Sequence, residues 1–143
     1  VIALPPGNLF LQGRSDNQKV RRGVTKVKEL LNSGIKVSFG PDNIRDAFNP
    51  IGSPNMIFNA ILTAYACHMT SSADFQEVFN MCTYTAAQIM QLPKYGLNDG
   101  CFADLVVLDQ PTIIDALSYQ ANPLMVFKKG NILLNKINDV VSN

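Results

Sequence analysis

The sequence predicts an α/β fold, and three observations carry that expectation. First, Val1-Ile2-Ala3-Leu4 and Ile35-Lys36-Val37-Ser38-Phe39 are short apolar runs with a helix-patterned stretch between them. A strand, a helix and a second strand joined by a short turn form a βαβ unit, which pairs its strands in parallel. Second, a carboxylate, Asp42, follows the second run almost at once. The carboxyl ends of parallel strands are where binding and catalytic groups collect. Third, helical patterns dominate up to residue 100 and short β patterns follow it. That shift marks a domain boundary between residues 1–100 and 101–143.

Taken in order, Val1 to Leu4 reads as a buried strand stopped by Pro5-Pro6. Gly7 to Gly23 reads as a polar, irregular loop. Its Arg14, Lys19, Arg21 and Arg22 suit an anionic ligand, although such a run is ordinarily just solvated. Val24, Val27, Leu30 and Leu31 form one apolar stripe, so Val24–Asn32 reads as a helix with Gly34 as its left-handed cap. Gly40 to Pro54 is a loop at a binding position, holding Asp42, Arg45, Asp46 and Phe48.

A helix over Asn55–Met69 follows, capped by Asn55 or Ser53 and apolar nearly all round, which implies burial. A second helix runs from Ser72, its expected cap, to Cys82, and a third from Thr83 to Leu92, where Pro93 ends it. Ala103–Leu108 reads as a strand, and Asp109–Tyr119 as a loop with one helical turn. Leu124–Lys128 and Ile132–Leu134 are strands joined by a tight hairpin at Lys129-Gly130-Asn131.

A chain of 143 residues with 47% hydrophobic and 16% charged residues is globular and not disordered. It buries roughly two-thirds of the surface its unfolded chain exposes. A net charge of +1 gives no electrostatic footprint for nucleic acid or an anionic membrane. No apolar run approaches the ~18 residues of a membrane span. Cys67, Cys82 and Cys101 form no Cys-x-x-Cys pair, and three widely spaced thiols fit a reduced, cytoplasmic protein. The first residue is Val1. An apolar run met at once fits an entry into the middle of a longer protein, and it also fits a processed start.

Residue chemistry narrows the candidates without naming a reaction. Asp42 suits a metal ligand, a proton acceptor or a cap on the following turn. Asn43 offers a donor and an acceptor to a polar substrate. His68 is the only histidine. On a helix it points about 100° away from Cys67, so the two form neither a nucleophile–base pair nor a metal pair, and a structural histidine is expected. Glycine-rich phosphate loops and a nucleophile elbow are both absent from the sequence.

Two stretches go further. Thr83-Tyr84-Thr85-Ala86-Ala87-Gln88-Ile89-Met90-Gln91-Leu92, then Tyr95-Gly96-Leu97, then Gly100-Cys101-Phe102-Ala103-Asp104-Leu105-Val106-Val107-Leu108-Asp109 resemble the end of the barrel in the amidohydrolase superfamily. There a helix and a glycine turn lead into a strand of a small β-sandwich. Val126-Phe127-Lys128-Lys129-Gly130-Asn131-Ile132-Leu133 resembles the hairpin that follows. Asn8-Leu9-Phe10-Leu11-Gln12-Gly13-Arg14, Arg21 to Leu31, Val37 to Asn43, and the spacing through Asn49-Pro50-Ile51-Gly52 and Asn55-Met56 are similar to the bacterial cytosine deaminases.

That resemblance covers essentially the whole chain. It implies the C-terminal part of a metal-dependent (β/α)₈ hydrolase barrel, with its last two strands and their helices over residues 1–100. Part of the small β-sandwich would follow over residues 101–143. Val1 to Leu4 corresponds to the seventh barrel strand and Ile35 to Phe39 to the eighth. The implied reaction is hydrolytic deamination of an amino-heterocycle by metal-activated water, with zinc or iron as the metal. Asp42 takes the place of the residue that binds the metal or orients the water. Asn43 takes a substrate-contacting place, and Phe48 that of an aromatic near the pocket.

Where the cytosine deaminases show His-Asp-Asp after the strand's glycine, this chain has Pro41-Asp42-Asn43. The lost charge at Asn43 opens the substrate to related amino-heterocycles, N-substituted triazines or cyclic amides. The family's His-x-His pair, its later histidines and its proton-moving glutamate belong to strands that precede Val1 in such a chain. The chain alone is therefore expected to hold no metal tightly and to be inactive. Its expected partners are a small-molecule heterocycle and either the remainder of the barrel or a second copy of itself. A non-catalytic relic or interaction module that oligomerises is the competing expectation, since two barrel strands leave edges open. An unrelated small α/β domain is the remaining one.

Overall fold

A computed structural model describes residues 1–137. The expected βαβ unit is present. β1 (Ile2–Ala3) and β2 (Ser38–Phe39) pair in parallel, Ile2 opposite Ser38 and Ala3 opposite Phe39. Between them lie α1 (Pro5–Leu11) and α2 (Val27–Asn32).

The sequence places no helix at α1, where Pro5-Pro6 suggests only an end to the strand. The two prolines occupy the first helical positions, where a missing N–H costs nothing and the fixed φ favours the helical turn. The loop expected from Gly7 therefore begins only after Leu11. The helix expected from Val24 begins at Val27 and closes as expected. Gly34 is left-handed (φ +75°), its N–H donates to Leu31 O at 2.9 Å, and Ile35 N–H reaches Leu30 O at 3.0 Å.

Three helices follow β2: α3 (Met56–Ala66), α4 (Ser72–Met81) and α5 (Tyr84–Ile89). Asn55 caps α3, accepting from the N–H groups of Ile57 and Phe58. Ser71, and not Ser72, caps α4. Its hydroxyl accepts from Asp74 N–H, while the Asp74 carboxylate accepts from Ser71 N–H, a reciprocal capping box. α3 is shorter than its apolar run. Cys67 is its C-cap, and His68 beyond it is left-handed (φ +52°), so His68 lies outside the helix where the sequence pattern puts it.

The core gathers Ala3, Val27, Val37, Phe39, Ala60, Met69, Val78, Met81 and Leu117. One buried hydroxyl stitches the sheet to the helices: Ser38 Oγ donates to Met81 O at 2.7 Å. β3 (Leu105–Leu108), β4 (Pro123–Lys128) and β5 (Asn131–Asn135) form a separate antiparallel sheet in that order. Lys129 and Gly130 both have positive φ, as a two-residue hairpin turn requires, and Asn131 already pairs with Lys128 in the strand. The Asp104 carboxylate clamps this turn by accepting from Lys129 N–H and Lys128 Nζ.

The stretch expected to be a loop with one helical turn folds as α6 (Ile113–Ser118), with Thr112 as N-cap. Leu117 carries it into the core beside Val78 and Met81. Of the 101–143 region, residues 138–143 lie outside the described residues. No helix among the described residues is long and apolar enough to cross a membrane.

The carboxylates of Asp74, Asp16, Asp46 and Asp104 are all held below the ordinary range. The largest cause is the Ser71 N–H for Asp74, the Arg21 side chain for Asp16, the Asn49 N–H for Asp46 and the Lys128 side chain for Asp104. A carboxyl group with a lowered folded-state pKa contributes stability above its unfolded pKa of ~3.9 and loses it as pH falls through the folded value. The unfolding midpoint is accordingly expected to be nearly flat from pH ~7 to ~5 and to drop below pH ~4. Asp74→Asn should lower the plateau and shrink the drop. Chemical denaturation across pH measures both.

Candidate functional site

The loop after β2 runs from Gly40 to Asn55, and its own hydrogen bonds shape it. Pro41 directs the chain into Asp42, which is exposed and left-handed, with φ +66°. That region is sparsely populated for residues with a side chain, but Asp and Asn enter it more readily than most. The conformation carries the Asp42 carboxylate back over α1, against Gly7. A Cβ on Gly7 would stand 2.8 Å from Asp42 Oδ2 and 3.1 Å from its Cβ. Glycine at that position is what leaves room for the carboxylate between the outgoing ends of both parallel strands.

Asp46 is the hub of the loop. Its Oδ1 accepts from the N–H groups of Phe48 and Asn49, each at 2.9 Å, and its Oδ2 accepts from Asn43 Nδ2 at 2.6 Å. The Asn49 N–H, and after it the Asn43 amide, hold this carboxyl below the usual range. The capping role open to Asp42 in the sequence thus falls to Asp46. Asn49 is buried, and Gly52 packs against the Asn43 carbonyl. Phe48 is left 64% exposed.

Asp42, Asn43 and Phe48 therefore sit on one loop, the last two joined through Asp46. Asp46 and Gly52 have no functional role in the sequence reading. The signal for Asp46 is Asp46-Ala47-Phe48-Asn49, an aspartate whose carboxylate takes the N–H groups two and three residues on.

The other reactive side chains lie elsewhere. His68 lines a groove of about 480 Å³ with Tyr65, Met69, Phe75, Ile114 and Leu117, between α3, α4 and α6. Its backbone carbonyl accepts from Lys28 Nζ at 2.8 Å. The three cysteines are free thiols, and burial pushes Cys82 up to about 11. It is therefore a poor nucleophile at neutral pH. Among the described residues no group of three or more His, Cys, Asp or Glu gathers as a metal site. Asp42 is a single carboxylate, short of the three or four ligands a metal site needs.

The chain is 33% identical over 109 residues to the N-isopropylammelide isopropyl amidohydrolase of Pseudomonas sp. (strain ADP), covering 76% of this chain and 27% of that protein. It is 29% identical over 144 residues to a pterin deaminase of Rhizobium rhizogenes, covering 97% and 32%. Among solved structures, a Klebsiella pneumoniae 5-methylcytosine deaminase liganded with 5-fluorocytosine superposes with a TM-score of 0.87 at 35% identity. That match covers 94% of this chain and 33% of the other. The N-isopropylammelide isopropylaminohydrolase of Burkholderia multivorans gives 0.76 at 28%, covering 80% and 29%.

The chain thus spans about a third of the length of these proteins, and its α/β fold is that of the C-terminal part of their hydrolase barrel. A profile of the amidohydrolase family matches residues 1–134, and the chain belongs to that family.

Proposed function

We propose that this chain supplies the end of a metal-dependent (β/α)₈ barrel that hydrolytically deaminates an amino-heterocycle of the cytosine type. Residues 1–100 would belong to the barrel and residues 101–143 to its small β-sandwich. The observation that carries the proposal is Asp42. It is an exposed carboxylate at the carboxyl end of β2, held in a left-handed turn and seated on Gly7 after β1. A divalent zinc or iron, when bound, lowers the pKa of a water and polarises the bond to be broken.

Asp42 would hold that cation as one of its ligands and keep its second oxygen free to orient the attacking water or accept its proton. Asn43 would meet polar atoms on the ring edge. The exposed Phe48 ring would offer a flat apolar face to the heterocycle. Ammonia release from the ring follows from attack at the amino-bearing carbon.

One carboxylate does not make a metal site, so the rest of the barrel has to supply the other ligands. Exposed apolar residues support such a partner. Val1 and, on β1, Ile2 are 52% and 55% exposed, and Val106, Ile132 and Leu133 on the antiparallel sheet are 58%, 55% and 66% exposed. The remainder of the barrel would cover these surfaces. A second copy is the competing occupant, and mass in solution separates the two.

Ammonia release and metal content test the proposal, measured on the chain alone and on the full-length enzyme carrying it. The full-length enzyme is expected to hold about one divalent metal per site and to release ammonia from cytosine or a related heterocycle. The chain alone is expected to do neither. Ammonia release by the chain alone, or a metal-loaded full-length enzyme inert towards cytosine, isocytosine and N-substituted triazines, would overturn it.

A further inference from the structure

We infer that Asp46 is a positioning residue that locks the Asn43 amide with its nitrogen on Asp46 and its carbonyl oxygen turned away as the free acceptor, so that the site selects a ring edge carrying an N–H donor. The inference rests on the deamination proposed above and adds which hydrogen-bonding face the substrate presents.

The argument begins with what an ionised carboxylate can do. Asp46 accepts three hydrogen bonds, from Asn43 Nδ2, Phe48 N–H and Asn49 N–H. These donors hold its carboxyl below the usual range, so it is charged at neutral pH. A charged carboxylate accepts only. At 2.6 Å from Asp46 Oδ2, the Asn43 amide has to present its nitrogen. The reverse orientation would set two oxygens against each other. The amide is planar, so Oδ1 turns to the other side as an acceptor.

Without the carboxylate, an asparagine rotates its amide by a half-turn at little cost and presents either group. Asp46 removes that freedom. The main chain of Asn43 is fixed as well, because Gly52 packs against its carbonyl. The same carboxylate pins the backbone at Phe48, so one residue sets both candidate substrate contacts. Asn43 accordingly offers an acceptor, as a carboxylate would, but without the charge.

Asp46→Asn in the full-length enzyme tests this directly. The substitution keeps the volume and an oxygen acceptor for the two backbone N–H groups, and it sets an amide nitrogen opposite Asn43, which then has to turn its oxygen to residue 46 and its nitrogen away. Cytosine and isocytosine are the probes, since they exchange the positions of the amino and carbonyl groups. In the unsubstituted enzyme one isomer is expected to be clearly preferred in kcat/KM. Asp46→Asn should shift the ratio against the preferred isomer by about tenfold or more, mostly through KM. Combining Asn43→Asp with Asp46→Asn should restore it, because the new carboxylate accepts from the new amide and keeps an acceptor towards the substrate.

A purely structural Asp46 would lower both isomers in parallel and leave the ratio unchanged, and that result overturns the inference. If the unsubstituted enzyme turns over no heterocycle, the deamination proposal fails. The ratio of dissociation constants for the two isomers, measured by calorimetry on the same three proteins, then decides the role of Asp46 by the same criterion.

Discussion

Asp42→Asn is expected to lower kcat/KM of the full-length enzyme by about 10²–10⁴ while leaving its thermal unfolding almost unchanged. The two halves of that result have separate causes. The side chain is exposed and the donors of the loop turn to Asp46, so folding loses little. Asparagine also tolerates the left-handed conformation that Asp42 adopts. The chemistry loses more, because a neutral amide neither accepts a proton nor binds a hard cation as a carboxylate does.

A fall in metal content together with kcat would mark Asp42 as a ligand. A fall in kcat with full metal content would mark it as the group that orients the water. Unchanged activity would show that this carboxylate takes no part in the reaction. Gly7→Ala provides an internal comparison. Its new methyl group would crowd Asp42 Oδ2, which can rotate aside, and stand 3.1 Å from Asp42 Cβ, which has to give by a few tenths of an ångström, so a smaller loss of kcat is expected than for Asp42→Asn.

The place of Asp42 after β2 was legible in the sequence because its signal is positional. A strand, a glycine and a carboxylate in order are enough to put an acid at the mouth of a parallel sheet. Parallel pairing was legible for a similar reason, since the stripe of Val24, Val27, Leu30 and Leu31 lies between two apolar runs. What the sequence hid depends on which competing role a residue takes. Proline both ends strands and begins helices, and at Pro5-Pro6 the second role prevails because the N–H groups it lacks would have no partner there.

α6 was hidden because a six-residue segment shows less than two turns of periodicity, and its anchor Leu117 is secured by the distant Val78 and Met81. Ser71 and Ser72 are equivalent in composition. Only the reciprocal bonds with Asp74 decide between them. In the candidate site, Asp42 and Asp46 are both aspartates in one loop, and nothing in their spacing says which will be consumed by backbone donors. The structure assigns that task to Asp46, and among the described residues no N–H of the loop bonds to Asp42.

Gly52→Ala is expected to lower stability and selectivity together. A methyl group there would run into the carbonyl of Asn43 and stand 3.1 Å from Asn49 Nδ2. Asn49 is 4% exposed and has no room to retreat. The collision is with main chain, so no rotamer change relieves it, and the loop has to move as a unit. Overpacking of this kind costs about 1–3 kcal/mol.

Gly34→Ala is the matched control. Gly34 is left-handed but has open space around its Cα, so alanine there meets only conformational strain, on the order of 1–2 kcal/mol, far from the site. Denaturant unfolding of the two variants should show comparable losses. Only Gly52→Ala should also raise KM, because displacing the Asn43 carbonyl pulls its side chain off Asp46. Equal KM values for the two variants would mean that the loop absorbs the methyl group without moving Asn43, and the packing of Gly52 would then serve folding alone.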